Sequence, residues 1–290
     1  MPTVEANGVG LYYETAGDGP PVVLLHGAGM DGRLWAETAR PLADEYRLVV
    51  PDLRGHGRTG GSGYEDYSIP LFADDVRALV DALGLDSPAV VGHSMGAFVA
   101  LVYAEHYPEA CSALATLGGE VPEHLSLGER IESYRPTLVD ALAPVLGRER
   151  VEGLLRRLDE WRYDERGKGD VEAIERVHEQ HGDEVSPMSD AERRKLDAAL
   201  AAYDDVTVDY AAMTVPSLHL HGEYEIAWIR RHARYMAAQL PDGVVREIPE
   251  AGHVSMVDNP GFVVNALREF LAASLAQRNG APTASESGTQ

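Results

Sequence analysis

A serine on a tight turn between a strand and a helix is placed to act as a nucleophile, and Gly92-His93-Ser94-Met95-Gly96 offers one. The apolar run Ala89 to Val91 reads as a buried strand, and Met95 to about Tyr107, stopped by Pro108, reads as a helix. Such a turn lifts the hydroxyl above the sheet, and the flanking glycines let strand and helix approach closely. The helix N-terminus behind Ser94 favours negative charge developing beside it. As a bare pattern the pentapeptide is weak, and it competes with a plain turn holding an incidental serine; its strand–turn–helix context gives it weight. His93 neighbours the serine, but strand alternation points it to the opposite face. His219 and His221 alternate along another apolar run with no third ligand in evidence, so packing or a loop contact is expected there and no metal site.

The elements that must position these groups follow from hydrophobic periodicity. Val4 to Val9 and Leu11 to Thr15 predict an initial hairpin turning at Gly8. Val22 to Leu25 predicts a buried strand ending in His26-Gly27-Ala28-Gly29, and Leu48 to Val50 one ending in Pro51-Asp52. Ser68 is placed to cap a helix with Pro70 in its first turn, Leu71, Val76, Leu79, Val80 and Leu83 on its buried face and Gly84 at its close. Cys111 to Leu117, Leu218 to His221 and Val244 to Ile248 read as further strands, with helices around Ile226 to Leu240 and from about Pro260 to Leu275. This alternation predicts an α/β fold with a mostly parallel sheet and flanking helices. Between about Glu120 and Ala212 only helix-like segments occur, with Leu154, Leu155, Leu158 and Trp161 on one helical face and Leu196, Ala199, Leu200 and Tyr203 on another. The expected organisation is a core from 1–119 and 213–277, a helical cap over 120–212 inserted after the sixth strand, and a disordered tail over 278–290. His124, His178 and His181 fall in the insertion, where they line a pocket or face solvent.

With these motifs in this order, the chain resembles the α/β-hydrolase superfamily, in its serine-nucleophile, lidded branch, from about Val4 to Leu275. The resemblance implies Ser94 as nucleophile and His253, in Ala251-Gly252-His253, as base. It implies an acid in His221-Gly222-Glu223-Tyr224-Glu225, where Glu225 stands at the position that usually holds Asp. Glu223, two residues earlier, and Glu120, after the sixth strand, are rival acids. The backbone N–H groups of Ala28 and Met95 would form the oxyanion hole. Asp52-Leu53-Arg54-Gly55-His56-Gly57-Arg58-Thr59 matches a structural loop of the superfamily, with Asp52 and Arg54 organising the turn. Met30, Trp161 and Trp228 are candidate pocket walls. The implied activity is cofactor-independent hydrolysis of a carboxylic ester or lactone through an acyl-enzyme, with no metal required. C–C bond hydrolysis, thioester cleavage and perhydrolysis use the same residues, and a ligand-sensing protein can keep the same fold. A serine nucleophile argues against the epoxide hydrolase and haloalkane dehalogenase branches, which attack with Asp.

Charge narrows the partners. Among 290 residues, 47 Asp and Glu face 25 Lys and Arg for a net charge of −22, and Lys168 and Lys195 are the lysines. Nucleic acid and anionic membranes need basic patches, so the expected partner is a small-molecule substrate; oligomeric state is not legible. Acidity on this scale suits a salt-rich cytosol, where counter-ions screen self-repulsion, or follows from ordinary acidic drift with Arg-rich codon usage. Cys111 is the single cysteine and forms no internal disulfide. Met1 to Glu14 carries no basic stretch followed by an apolar run, and no apolar run approaches the ~18 residues of a membrane span, so a cytoplasmic location is expected.

Overall fold

The computed structural model describes residues 2–125, 135–147, 150–151, 153–154 and 188–280. Strands β1 (Thr3–Ala6) and β2 (Val9–Ala16) pair as an antiparallel hairpin. Its turn is Asn7-Gly8, with φ of 47° and 73°, because a two-residue hairpin turn of this twist needs both residues in the left-handed region. Val9 therefore opens β2 and does not close the first strand, as its apolar character had suggested.

The remaining strands are β3 (Pro21–Leu25), β4 (Arg47–Pro51), β5 (Ala89–His93), β6 (Ala113–Leu117), β7 (Ser217–Gly222) and β8 (Val244–Ile248). The eight form one sheet in the order β1-β2-β4-β3-β5-β6-β7-β8, parallel from β4 to β8. From β3 the chain steps outward to β4 and then back across to β5. That reversal opens a crevice beyond the carboxyl ends of β3 and β5, where open α/β sheets hold their ligands. Ala28 follows β3 and Ser94 follows β5, so both lie at this crevice.

The described α-helices are α1 (Ala36–Leu42), α2 (Ile69–Ala82), α3 (Met95–His106), α4 (Arg135–Leu146), α5 (Asp190–Ala201), α6 (Ala227–Gln239), α7 (Ser255–Asp258) and α8 (Pro260–Gly280). The sheet is buried on both faces, and its strands alternate between two cores. Val23, Leu25, Val90 and Leu114 pack with Phe72 and Leu79 of α2, Tyr103 of α3 and Met236 of α6. Val22, Leu24, Val91 and Ala115 pack on the other face with Trp35, Leu42 of α1 and Val263, Leu267 and Leu271 of α8. The period of two along each strand thus assigns its residues to opposite helical layers.

Ser68 caps α2 as its sequence position predicts, accepting a hydrogen bond from Leu71 N–H at 3.2 Å. Within the expected cap, α5 is capped by Ser189 and buries Leu196 and Ala199, which join Tyr203 on the α2/α3 side of the core. The described residues of 120–212 carry helical turns and no strand; Trp161, Leu155, Leu158, His178 and His181 lie outside the described residues. Helix α8 continues to Gly280, beyond the expected end near Leu275, so residues 278–280 belong to it and not to a tail. Arg278 explains the extension: its guanidinium donates to Ser87 O at 3.3 Å and stands 3.5 Å from Asp86, tying the last turn to the foot of the sheet. The rest of the expected tail, 281–290, lies outside the described residues.

Candidate active site

Ser94 stands where β5 gives way to α3, with φ 52° and ψ −121°, a backbone conformation L residues rarely adopt. Such strain persists only where the surroundings over-determine it. Here the surroundings are Gly92 and Gly96: a Cβ on Gly92 would come within 2.0 Å of Gly96 O, so strand and helix meet with no room for side chains. Ser94 N–H donates to Leu117 O at 2.9 Å, locking the turn to the end of β6.

His253 arrives on the loop after β8, and Glu225 on the turn after β7. The Ser94 hydroxyl donates to His253 Nε2 at 3.0 Å, and His253 Nδ1–H donates to Glu225 Oε2 at 2.9 Å. Glu225 is buried, and its Oε1 also accepts Ile226 N–H at 3.0 Å, which fixes the carboxylate plane. Three residues far apart in sequence thus form one hydrogen-bonded line at the carboxyl ends of three strands.

The rival acids are engaged elsewhere. Glu223 Oε2 accepts Glu250 N–H at 3.0 Å and bridges two loops. Glu120 Oε1 accepts the indole N–H of Trp228 at 2.9 Å, and burial pushes its carboxyl above the usual range. Trp228, expected as a pocket wall, therefore spends its polar edge on Glu120. Met30 is half-buried against the core that holds Trp35 and Met256.

Ala28 is half-buried beyond β3, and Met95 is buried as the first residue of α3. The first N–H groups of a helix have no intrahelical acceptor, so Met95 N–H is available to a ligand oxygen beside Ser94. The loop before Ala28 abuts the serine: a Cβ on Gly27 would lie 3.2 Å from Ser94 Cβ. His26 holds that loop, donating from Nδ1 to Gly27 O at 2.8 Å and accepting Leu53 N–H at Nε2 at 2.9 Å.

The residues from 20 to 260 match the family model of the alpha/beta hydrolase fold. The chain belongs to the α/β-hydrolase fold family. Among relatives, it is 27% identical over 270 residues, 92% of this chain and 94% of that protein, to a candidate carbamate hydrolase, RutD, of Caulobacter sp. (strain K31). An uncharacterized Mycobacterium bovis protein matches at 31% over 122 residues, 42% of this chain; the chain spans about a third of that relative, 36% of its length. Among solved structures, a thermophilic esterase from Thermogutta terrifontis superposes with a TM-score of 0.70 at 25% identity, covering 94% of this chain and 99% of that one.

Other motifs of this α/β-hydrolase are structural. Asp52 accepts Gly32 N–H and Arg58 N–H, each at 2.8 Å, and so organises the loop after β4. Arg54 is fully buried and pairs with Asp75 of α2, Nε to Oδ2 at 2.7 Å. His219 contacts Thr116 Oγ1 at 2.9 Å and Ser217 Oγ at 3.0 Å, and His221 Nδ1–H donates to Gly222 O at 3.1 Å. His124 stands 3.4 Å from Asp204. One contact escaped sequence reasoning: His93, set aside as a base, reaches the His253 backbone with Nε2 3.0 Å from its carbonyl oxygen. Alternation along β5 tells which way the ring leaves the strand, but not which distant loop it meets.

Proposed function

We propose that the chain is a cofactor-independent serine hydrolase that cleaves a carboxylic ester or lactone through an acyl-enzyme on Ser94. The observation that carries this reading is the unbroken line Ser94 Oγ, His253, Glu225, with contacts of 3.0 and 2.9 Å. His253 Nε2 takes the hydroxyl proton as Ser94 Oγ attacks the acyl carbon, and the carbonyl π electrons move onto its oxygen. The N–H groups of Ala28 and Met95 donate to that oxyanion, each donor being worth roughly 3 kcal/mol in the transition state. The tetrahedral adduct then collapses, the bond to the leaving alcohol breaks, and His253 hands that oxygen its proton. Water, deprotonated by His253, repeats the attack on the acyl-enzyme and releases the acid. Glu225 holds Nδ1–H throughout, keeping the imidazole in the tautomer that presents a bare Nε2 to the serine.

A small neutral or weakly polar acyl compound suits a chain of this negative charge. Carbamate cleavage is a second reading, favoured by the RutD relative that aligns along 92% of this chain. It uses the same steps with a carbamoyl-enzyme in place of an acyl-enzyme. Rapid mixing with nitrophenyl acetate, butyrate and carbamate esters should give a burst of nitrophenol equal to the enzyme present. A fluorophosphonate should add one phosphonyl mass to the peptide bearing Ser94. The absence of both burst and adduct on folded protein would sink the proposal.

A further inference from the structure

His93 is fully buried, and its ring centroid lies 5.0 Å from that of His253. Its Nε2 is 3.0 Å from the His253 carbonyl oxygen, which can only accept, so Nε2 carries the proton and Nδ1 is bare. Burial, reinforced by the neighbouring His253, pushes the ring's pKa down to about 3, which keeps this neutral tautomer at ordinary pH. The bare Nδ1 is buried and has no hydrogen-bond partner among the described residues. It faces the loop after β3, where a Cβ on Gly27 would lie 3.0 Å from it. A buried polar atom left unpaired calls for an explanation. The ring is wedged between the loop carrying Ala28 and the loop carrying His253, and it satisfies only the second.

The loop before His253 is held residue by residue. Pro249 O accepts from Asn259 Nδ2 at 3.0 Å, and Glu250 N–H donates to Glu223 Oε2 at 3.0 Å. Ala251 O accepts Tyr224 N–H at 2.9 Å, and Gly252 N–H donates to Asp258 Oδ2 at 2.9 Å. These four bonds set the path of the chain up to the histidine. The bond from His93 extends the series onto His253 itself and fixes the peptide plane that follows its Cα. That plane governs where the imidazole points, and attack geometry is sensitive to displacements of the order of 1 Å.

We propose that His93 is a positioning residue: by donating Nε2–H to the His253 carbonyl and packing against its ring, it sets the angle at which His253 Nε2 meets Ser94 Oγ. The inference rests on the roles given to Ser94 and His253 above. His93 touches none of the reacting atoms and acts through His253 alone. An apolar residue in its place would fill the volume without supplying that donor.

The test compares two fillers without the donor, His93→Phe and His93→Met, with His93→Gln, whose side-chain N–H can still reach the carbonyl. Each variant is assayed for its unfolding midpoint, the rate at which a fluorophosphonate modifies Ser94, kcat and KM with nitrophenyl acetate, and the low-field proton resonance of the His253–Glu225 hydrogen bond. The expected result is a folded His93→Phe or His93→Met with phosphonylation and kcat lowered at least about tenfold, KM held within about twofold, and the low-field resonance broadened or lost. His93→Gln should recover most of the rate and the resonance. Rates near those of the unaltered protein in a folded donorless variant would overturn the proposal, and so would a folded His93→Gln as impaired as they are. If both donorless variants fail to fold while His93→Gln folds, the residue serves the scaffold and the proposal fails. Reaction of the unaltered protein with the phosphonate is the control: its absence would strike the serine mechanism, whereas equal reaction in all variants strikes only the role of His93.

Discussion

Trp228 turns its indole N–H onto Glu120, 2.9 Å from Nε1 to Oε1, and so ties the carboxyl at the end of β6 to α6. Glu225, from the turn after β7, is the carboxylate that meets His253 Nδ1. The two acids should therefore respond differently to loss of charge. Glu225→Gln removes the anion that orients the imidazole and stabilises its charged form, and kcat should fall by about 10³- to 10⁴-fold. Glu120→Gln keeps an oxygen for Trp228, and burial already favours a neutral group there, so kcat should stay within about tenfold. Steady-state rates with one nitrophenyl ester decide the matter, and the reverse ranking would move the acid to Glu120.

Ser94 occupies a backbone conformation that costs stability for the sake of where its hydroxyl points. Ser94→Gly should abolish burst and turnover while raising stability by about 1 kcal/mol, because glycine adopts φ near 52° without a Cβ penalty. Ser94→Ala should abolish turnover equally and leave the unfolding midpoint nearly unchanged. Retained turnover in either variant would remove Ser94 from the mechanism. A destabilised glycine variant would mean that the turn is not strained.

The turn at Ser94 was legible because its cause is local: two glycines, a strand before and a helix after. The buried faces of α2 and α5 were legible for the same reason, as apolar spacing is a property of a short window. Glu225 was harder to separate from Glu120, since both follow strands that end at the same crevice. What separates them is the Trp228 contact across 108 residues, which no local pattern records. The hydrogen bond from His93 to the His253 backbone spans 160 residues and was invisible for the same reason. The end of α8 was misjudged because polar spacing near Arg278 resembles a tail, whereas the pairing with Asp86 and Ser87 is tertiary.

Four of the six histidines buried among the described residues give the fold a defined sensitivity to acid. Burial lowers His26 to about 4 and His56, His93 and His219 to about 3, with His26 adding to the effect on His56 and His253 to that on His93. In the unfolded chain each would titrate near 6.5. Below that pH the unfolded state binds protons that the folded state refuses, so the stability present above about 6.5 is lost as pH falls towards 3 to 4. Each histidine contributes a slope of up to about 1.4 kcal/mol per pH unit. Denaturant unfolding at pH 7.5 and 5.5 should register a loss of several kcal/mol. Equal stability at the two values would contradict the neutral, buried assignment. His219→Gln should flatten the profile by about one proton's slope.

Salt should act in the opposite sense to acid. A net charge of −22 makes the folded chain repel itself, and added ions shorten the reach of that repulsion from ~10 Å at 0.1 M to ~3 Å at 1 M. The unfolding midpoint at neutral pH should rise with KCl into the molar range. Midpoints independent of KCl would show that the acidic surface carries no adaptation to salt.

Arg54 and Asp75 form a fully buried pair, each with a side chain 0% exposed. Arg54 also donates to Asn7 O and Ser62 Oγ, each at 2.9 Å, and Asp75 accepts Asn7 Nδ2 at 2.8 Å. The pair thus joins the β1–β2 turn, the loop after β4 and α2. Removing one partner strands the other charge in the interior, at a cost of about 3 to 5 kcal/mol. Asp75→Ala should therefore lower the unfolding midpoint by roughly 10 °C, at about 2 to 4 °C per kcal/mol for a chain of this size. Removing both charges with apolar replacements of similar volume, Arg54→Met with Asp75→Leu, should cost less than Asp75→Ala alone, because no bare charge remains. Neither residue takes part in the Ser94–His253–Glu225 line, so kcat of whatever fraction folds should be unaltered. Thermal unfolding of the single and double variants measures the coupling directly, and a double variant less stable than the single would show that the bonds, and not the stranded charge, dominate.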